Sequence, residues 1–169
     1  MPIRSVASDR APRAIGPYSQ AQLVEHPGLA ILCCAGQIAL DPATGEMVAG
    51  DIRAQTERVM QNVEGVLEAG GMTFANVVKT TVFLVDLSEF AAMNEVYGQR
   101  FQGAFPARST VQVAALPRGA RVEVEVMAVR ETAVPGELQV AARKAPSRRP
   151  RKARRPLRLV RGKPRGKRS

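Results

Sequence analysis

From Arg121 to Arg130 the sequence reads RVEVEVMAVR, and no other stretch restricts the possible folds as strongly. In an extended strand Val122, Val124, Val126 and Ala128 share one face, while Arg121, Glu123, Glu125 and Met127 share the other. The valine face demands a covering layer. Four further runs prefer strands, at about residues 18–24, 29–36, 77–85 and 109–116. "DPATGE" (41–46) reads as a turn, because Pro42 presets φ and Gly45 tolerates a positive φ. "LPRG" (116–119) reads as the turn between the last two strands.

Two segments carry helical spacing instead. Between Ile52 and Ala69, apolar residues fall at Ile52, Val59, Met60, Val63, Val66 and Leu67. Asp51 is available as its N-cap, and Gly70-Gly71 supplies the stop. A second helix is expected over about 89–102, with Ser88 as cap and Phe90, Met93, Val96, Tyr97 and Phe101 as its buried stripe. The order is two strands, helix, strand, helix, two strands. Two amphipathic helices cover one face of such a sheet, giving an α+β layer with a mixed sheet. The other face mixes Val, Ala, Thr and Glu, which fits contact with other subunits and wet clefts between them.

The chain has 169 residues, enough for one domain with a real core. Its net charge of +10 is unevenly spread. Residues 143–169 hold fourteen Lys and Arg and no acid, whereas the first 142 hold eleven basic and fifteen acidic side chains, a net charge of −4. The expected organisation is a domain over 1–131, a linker over 132–142 and a basic, disordered tail over 143–169. That tail could meet nucleic acid through phosphate attraction, meet an anionic membrane, or merely solubilise the chain. No apolar run is long enough to span a bilayer, and the first twenty residues lack a secretory apolar core. Adjacent Cys33 and Cys34 would point to opposite sides of a strand, which suits free thiols in a reducing cytoplasm.

Candidates for chemistry are few. His26, the one histidine, lies in the turn "EHPG", so neither a catalytic triad nor a histidine-rich metal site is easy to build. Lys79 precedes every other lysine by more than sixty residues and reads as a strand-edge or ion-paired residue. No dinucleotide or phosphate-loop motif is present, and neither a cofactor nor a metal is expected. Arg108, in "AFPARST", stands at the edge of an apolar strand. If the last two strands pair as a hairpin, Arg108 and Glu123 could share a cleft. The arginine fork would hold a carboxylate and the glutamate would activate a water. An Arg108–Glu123 or Arg121–Glu123 structural ion pair accounts for the same spacing. Glu125 is read as structural, paired with Arg121 or Arg130.

The stretches "AIGPYSQA" (14–21), "AGQIALDPATGE" (35–46), "NVVKTTVFLVDLSEF" (76–90), "MNEVYGQRF" (93–101) and "FPARSTVQVAALPRGARVEVEVMAV" (105–129) resemble the RidA/YjgF family of reactive-intermediate deaminases. The resemblance spans about residues 13–130. It implies a chorismate-mutase-like α+β fold that assembles as a homotrimer with sites in clefts between subunits. It also implies hydrolysis of 2-imino acids, or their enamine tautomers, to 2-keto acids and ammonia. By the same resemblance Arg108 would bind the substrate carboxylate and Glu123 would position the attacking water. Tyr18 and Asn94 would line the pocket, and Gly36 and Thr110 would hold the ligand through backbone groups. Ala35 stands where many members have Ser, and Thr110 where many have Cys, so substrate range is open. Two other functions fit the same features: a module that binds small carboxylates without turnover, and a nucleic-acid-associated protein of the ribonuclease or translation-inhibitor type.

Overall fold

The computed structural model describes residues 2–134. The linker beyond residue 134 and the basic tail lie outside the described residues. Six strands form one sheet: β1 (Ile3–Val6), β2 (Ala21–His26), β3 (Leu29–Gln37), β4 (Val77–Leu84), β5 (Ala107–Gln112) and β6 (Val122–Glu131). Their spatial order is β1-β2-β3-β6-β4-β5, with only β4 and β5 parallel. Helices α1 (Ile52–Ala69) and α2 (Phe90–Gly98) pack on one face.

Local chemistry fixes α1 at the expected ends. The Asp51 carboxylate accepts from the Ala54 amide at 3.0 Å, and the Gly70 amide closes the last turn. Between these caps Val59, Met60, Val63, Val66 and Leu67 are fully buried, each worth roughly 1.5–3 kcal/mol of burial. They meet Leu32, Val82, Leu84, Val122 and Val124 from the sheet. The alternation in β6 falls as expected, with Val122, Val124, Val126 and Ala128 buried and Glu125 and Met127 exposed.

The second helix is shorter than its apolar spacing suggests. It spans Phe90–Gly98, and Phe101 is buried after the helix by ring contacts with Phe74 and Tyr97. Asp86, rather than Ser88, provides the cap of the preceding turn, accepting from the Ser88 amide at 2.8 Å. Strand β1 was not expected. It is a short edge strand with one buried residue, paired to β2 alone.

The largest departure concerns β5 and β6. They are joined by the turn around Pro117–Gly119 but are not neighbours, because β4 lies between them. Arg108 pairs across from Thr80, and Glu123 from Phe83. Thr80 is on the buried, helix-covered side and Phe83 on the open side. Arg108 and Glu123 therefore sit on opposite faces of one sheet, and the expected hairpin cleft does not exist within one chain.

One irregularity sits in β3. Cys34 faces Val126 and Gln37 faces Val124, so three steps on β3 match two on β6. The extra residue makes a bulge at Ala35-Gly36.

Candidate functional site

The bulge prepares a place for Glu123. A Cβ added at Gly36 would overlap Oε1 of Glu123 and approach its Cδ to 2.7 Å, so the carboxyl rests against bare backbone. Partial burial, and secondarily the charge of Glu125, raise the Glu123 carboxyl above its ordinary value. Around it lies a cavity of about 270 Å³ whose walls include Ile15, Tyr18, Ala35, Gly36, Ile38 and Pro117. The wall is largely apolar, with Glu123 as its carboxylate.

Gln20 builds the rim of that cavity. Its side-chain oxygen accepts from the Ser8 amide at 2.6 Å, and its amide nitrogen donates to the carbonyls of Ala11 (3.1 Å) and Pro12 (2.7 Å). Residues 8–12 also cross α1 where Gly65 leaves room, since a Cβ there would stand 2.8 Å from Arg10 Cβ. Pro12 and Arg13 are thereby held at the cavity edge. Tyr18 is 47% exposed, and its hydroxyl accepts weakly from the Ile15 amide at 3.4 Å.

Arg108 occupies the other face. Its guanidinium carbon lies 4.7 Å from the Tyr97 ring centroid and 5.5 Å from that of Phe90. It makes no ion pair with any acid among the described residues. Aromatic faces hold the cation while leaving its hydrogen-bond donors to solvent or a ligand. The Tyr97 hydroxyl bonds Thr80 Oγ1 at 2.8 Å, which fixes the ring under the guanidinium. Burial raises the Tyr97 phenol, so it stays neutral. The cavity here, about 460 Å³, is lined by Asn94, Tyr97, Gly98, Phe105, Pro106 and Arg108.

Two polar atoms on this side lack partners. Asn94 Oδ1 and Thr110 Oγ1 are buried without a hydrogen bond. Thr110 follows Arg108 by two residues on the same face of β5. Buried polar atoms left open cost roughly 1–3 kcal/mol each, and here they accompany an arginine without an acid.

The sequence-expected residues thus divide into two groups. Tyr18, Gly36 and Glu123 surround one cavity; Asn94 and Arg108 share the other, with Thr110 beside them. The proposed local ion pairs are absent: Arg121 pairs with Glu89, and Arg130 with Glu25. Glu125 is exposed and takes part in none of the described ion pairs, because its cross-strand neighbour is Thr81. Lys79 donates to Ser109 Oγ at 2.8 Å, and His26 is exposed as the last residue of β2, paired with Leu29, rather than lying in the turn itself. Gln20, Tyr97 and Phe90 escaped sequence reasoning as site residues. Tyr97 and Phe90 sat in the apolar stripe of α2, and their second role appears only once β5 lies alongside.

Among the described residues no helix is long and apolar enough to cross a membrane. Comparison with known proteins gives a consistent family. A family profile described as Endoribonuclease L-PSP matches residues 8–130. Protein DfrA of Myxococcus xanthus is 57% identical over 126 residues, covering 75% of this chain and 95% of that protein. The 2-iminobutanoate/2-iminopropanoate deaminase of Capra hircus is 46% identical over 127 residues, covering 75% of this chain and 90% of the relative. Among solved structures, E. coli TdcF with bound serine superposes with a TM-score of 0.68 at 41% identity, covering 75% of this chain and 98% of TdcF. With the six-stranded mixed sheet and two helices on one face, these matches place the chain in the Endoribonuclease L-PSP family, also called RidA/YjgF.

Proposed function

We propose that the protein is an imine deaminase of the 2-iminobutanoate/2-iminopropanoate type, working at sites shared between copies of the chain in a homotrimer. The observation that carries this reading is Arg108 itself, held on two aromatic rings and free of any acid among the described residues. Beside it Asn94 Oδ1 and Thr110 Oγ1 await partners. A planar carboxylate satisfies the arginine fork through two parallel hydrogen bonds, and the iminium or water of a bound substrate can occupy the rest. The deaminase name of a relative 46% identical over nearly its whole length supports the reaction. The serine bound by TdcF supports a small amino-acid-like ligand.

Hydrolysis then follows from the groups present. Arg108 orients the substrate carboxylate, leaving C2 of the protonated imine open to attack. Glu123 takes a proton from water as the water oxygen bonds to C2, and the C=N electron pair passes to nitrogen. The protonated glutamic acid returns that proton to the amine. The C–N bond breaks as the Glu123 carboxylate takes the hydroxyl proton and the C=O bond forms, releasing a 2-keto acid and ammonia, which leaves with that proton as ammonium. A raised carboxyl suits a group that both accepts and donates a proton. Tyr18 closes the pocket wall, and the bare backbone of Gly36 lets Glu123 lie where the water must stand.

The division of these residues between the faces supports a shared site. Arg108 and Glu123 lie on opposite sheet faces and in separate cavities, so their cooperation requires a second copy. The open face offers Ile31, Thr81, Phe83 and Met127 for that contact, and a head-to-tail ring such as a trimer would pair different patches of neighbouring copies. The free thiols fit a reducing compartment such as the cytoplasm.

A coupled assay tests the reaction. A pyridoxal-phosphate dehydratase generates 2-aminoacrylate or 2-aminocrotonate, and keto-acid release is timed with and without this protein. Acceleration is expected, and Arg108→Ala should reduce kcat/KM by roughly 10²–10³. Binding of a 2-keto acid with no acceleration would instead mark a carboxylate-binding module. Full activity in the Arg108→Ala variant would end the assignment of that residue.

A further inference from the structure

We propose that residues 143–169 tether the deaminase domain to nucleic acid through contacts with the phosphate backbone, independently of the catalytic cavities. The family match ends at residue 130, and the relatives are covered over 90–95% of their length without this segment. Within its 27 residues stand ten arginines and four lysines, with no acid to offset them. The preceding 142 residues are net negative, so the domain surface itself would be repelled by a polyanion. Attraction must come from the added segment.

Its composition favours phosphate over other anionic surfaces. Arginine forks match phosphate oxygens bidentately, and they outnumber lysines. The segment has no aromatic residue, which removes both base stacking and interfacial anchoring in lipid. Prolines at 146, 150, 156 and 164 interrupt any periodic apolar pattern of the kind a membrane-surface helix displays. Duplex phosphates, read without regard to base sequence, are the remaining match.

The described chain leads away from the chemistry before it ends. Strand β6 carries Glu123 near its start and ends at Glu131, eight residues on, a distance of about 27 Å along a strand. Just beyond, the Thr132 amide donates to the Gly28 carbonyl at 3.2 Å and its hydroxyl donates to the His26 carbonyl at 2.9 Å. The chain is thus pinned at the β2–β3 turn, the far end of β6 from Glu123. No described residue after Glu123 lines either cavity. The expected independence rests on this separation of the pin from both cavities, and several copies in one assembly would bind a polyanion multivalently.

The test compares three proteins: the full chain, a chain ending at residue 142, and a full-length chain with the fourteen Lys and Arg of 143–169 changed to Gln. Fluorescence anisotropy follows a labelled 30-base-pair DNA duplex, the same duplex in RNA, and vesicles with 30% phosphatidylserine. The full chain should bind both duplexes, losing affinity by about 10³–10⁵ between 50 and 200 mM salt if six to ten phosphates are contacted. Both altered chains should lose that binding and keep wild-type deaminase rates. Equal duplex binding by all three proteins would overturn the proposal, as would tighter binding to vesicles than to either duplex. A deaminase rate that falls with the tail removed would overturn the independence of the two parts.

Discussion

The two faces of the sheet carry the two halves of the proposed site, and their characters are opposite. On the helix-covered face Arg108 lies against Tyr97 and Phe90, beside open hydrogen-bonding atoms of Asn94 and Thr110. On the open face Glu123 rests on Gly36 in an apolar cavity that raises its carboxyl. One half offers unspent donors to an anion; the other holds a carboxyl that gains from keeping its proton. The difference teaches that the described residues build one continuous sheet while the groups proposed for its chemistry stay divided between the faces.

The strongest way to break that comparison is to mix two dead proteins. Arg108→Ala and Glu123→Gln should each lose roughly 10²–10³ of activity alone. Co-refolded in equal amounts, they should recover about a quarter of wild-type activity, since one site in four then joins an intact arginine to an intact glutamate from different chains. A mixture as inactive as its parents would mean that both residues act within one chain.

Gly36→Ala probes the open-face half directly. The added methyl collides with the Glu123 carboxyl, so activity should fall by about tenfold to a hundredfold and stability by roughly 1–3 kcal/mol. Activity measured beside a thermal melt separates the two effects, and an unchanged kcat would remove the cradle from the mechanism. On the other face, Thr80→Val deletes the partner of the Tyr97 hydroxyl. It should cost about 1–3 kcal/mol of stability and raise KM for the substrate more than it lowers kcat. An unaltered KM would show that Tyr97 needs no anchor to carry Arg108.

The smallest effect concerns pH. Glu123 binds its proton more tightly in the folded chain than in the unfolded one, chiefly through burial. Its contribution to stability is therefore present below the unfolded carboxyl range and lost as pH rises through the folded value. Glu123→Gln should melt higher than the parent at neutral pH, with the gap closing in acid. A gap that widens in acid would reverse the assigned sign.

Much of this was legible where neighbours in sequence are neighbours in space. The Asp51 cap, the Gly70 stop and the alternation of β6 each depend on residues within a few positions. Strand β1 was not, because three of its four residues are exposed and only pairing with β2 defines it. The over-long second helix failed for a related reason: Phe101 is buried by Phe74, 27 positions earlier, and not by helical periodicity. Motif resemblance pointed to Arg108, Glu123, Tyr18, Asn94, Gly36 and Thr110, but spacing brought the first two together wrongly. Strand order is a nonlocal choice, and β4 enters between β5 and β6 because Val82 and Leu84 belong over the same core as Val122 and Val124. The partners expected for Glu125 were likewise drawn off by distant acids, Glu89 and Glu25.

The one extra residue in β3 carries a consequence for how such a site can change. Before Ala35 even-numbered positions such as Leu32 and Cys34 face the core, whereas beyond Gly36 the odd-numbered Gln37 takes that place opposite Val124. The insertion acts as a frame shift in the strand, and the half-site lies at the junction of the two frames. Point substitutions can alter what the junction holds, but only gain or loss of a whole residue can move it. Deleting Ala35 or Gly36 would restore an unbroken strand and erase the seat of the Glu123 carboxyl, turning the proposed half-site into plain sheet.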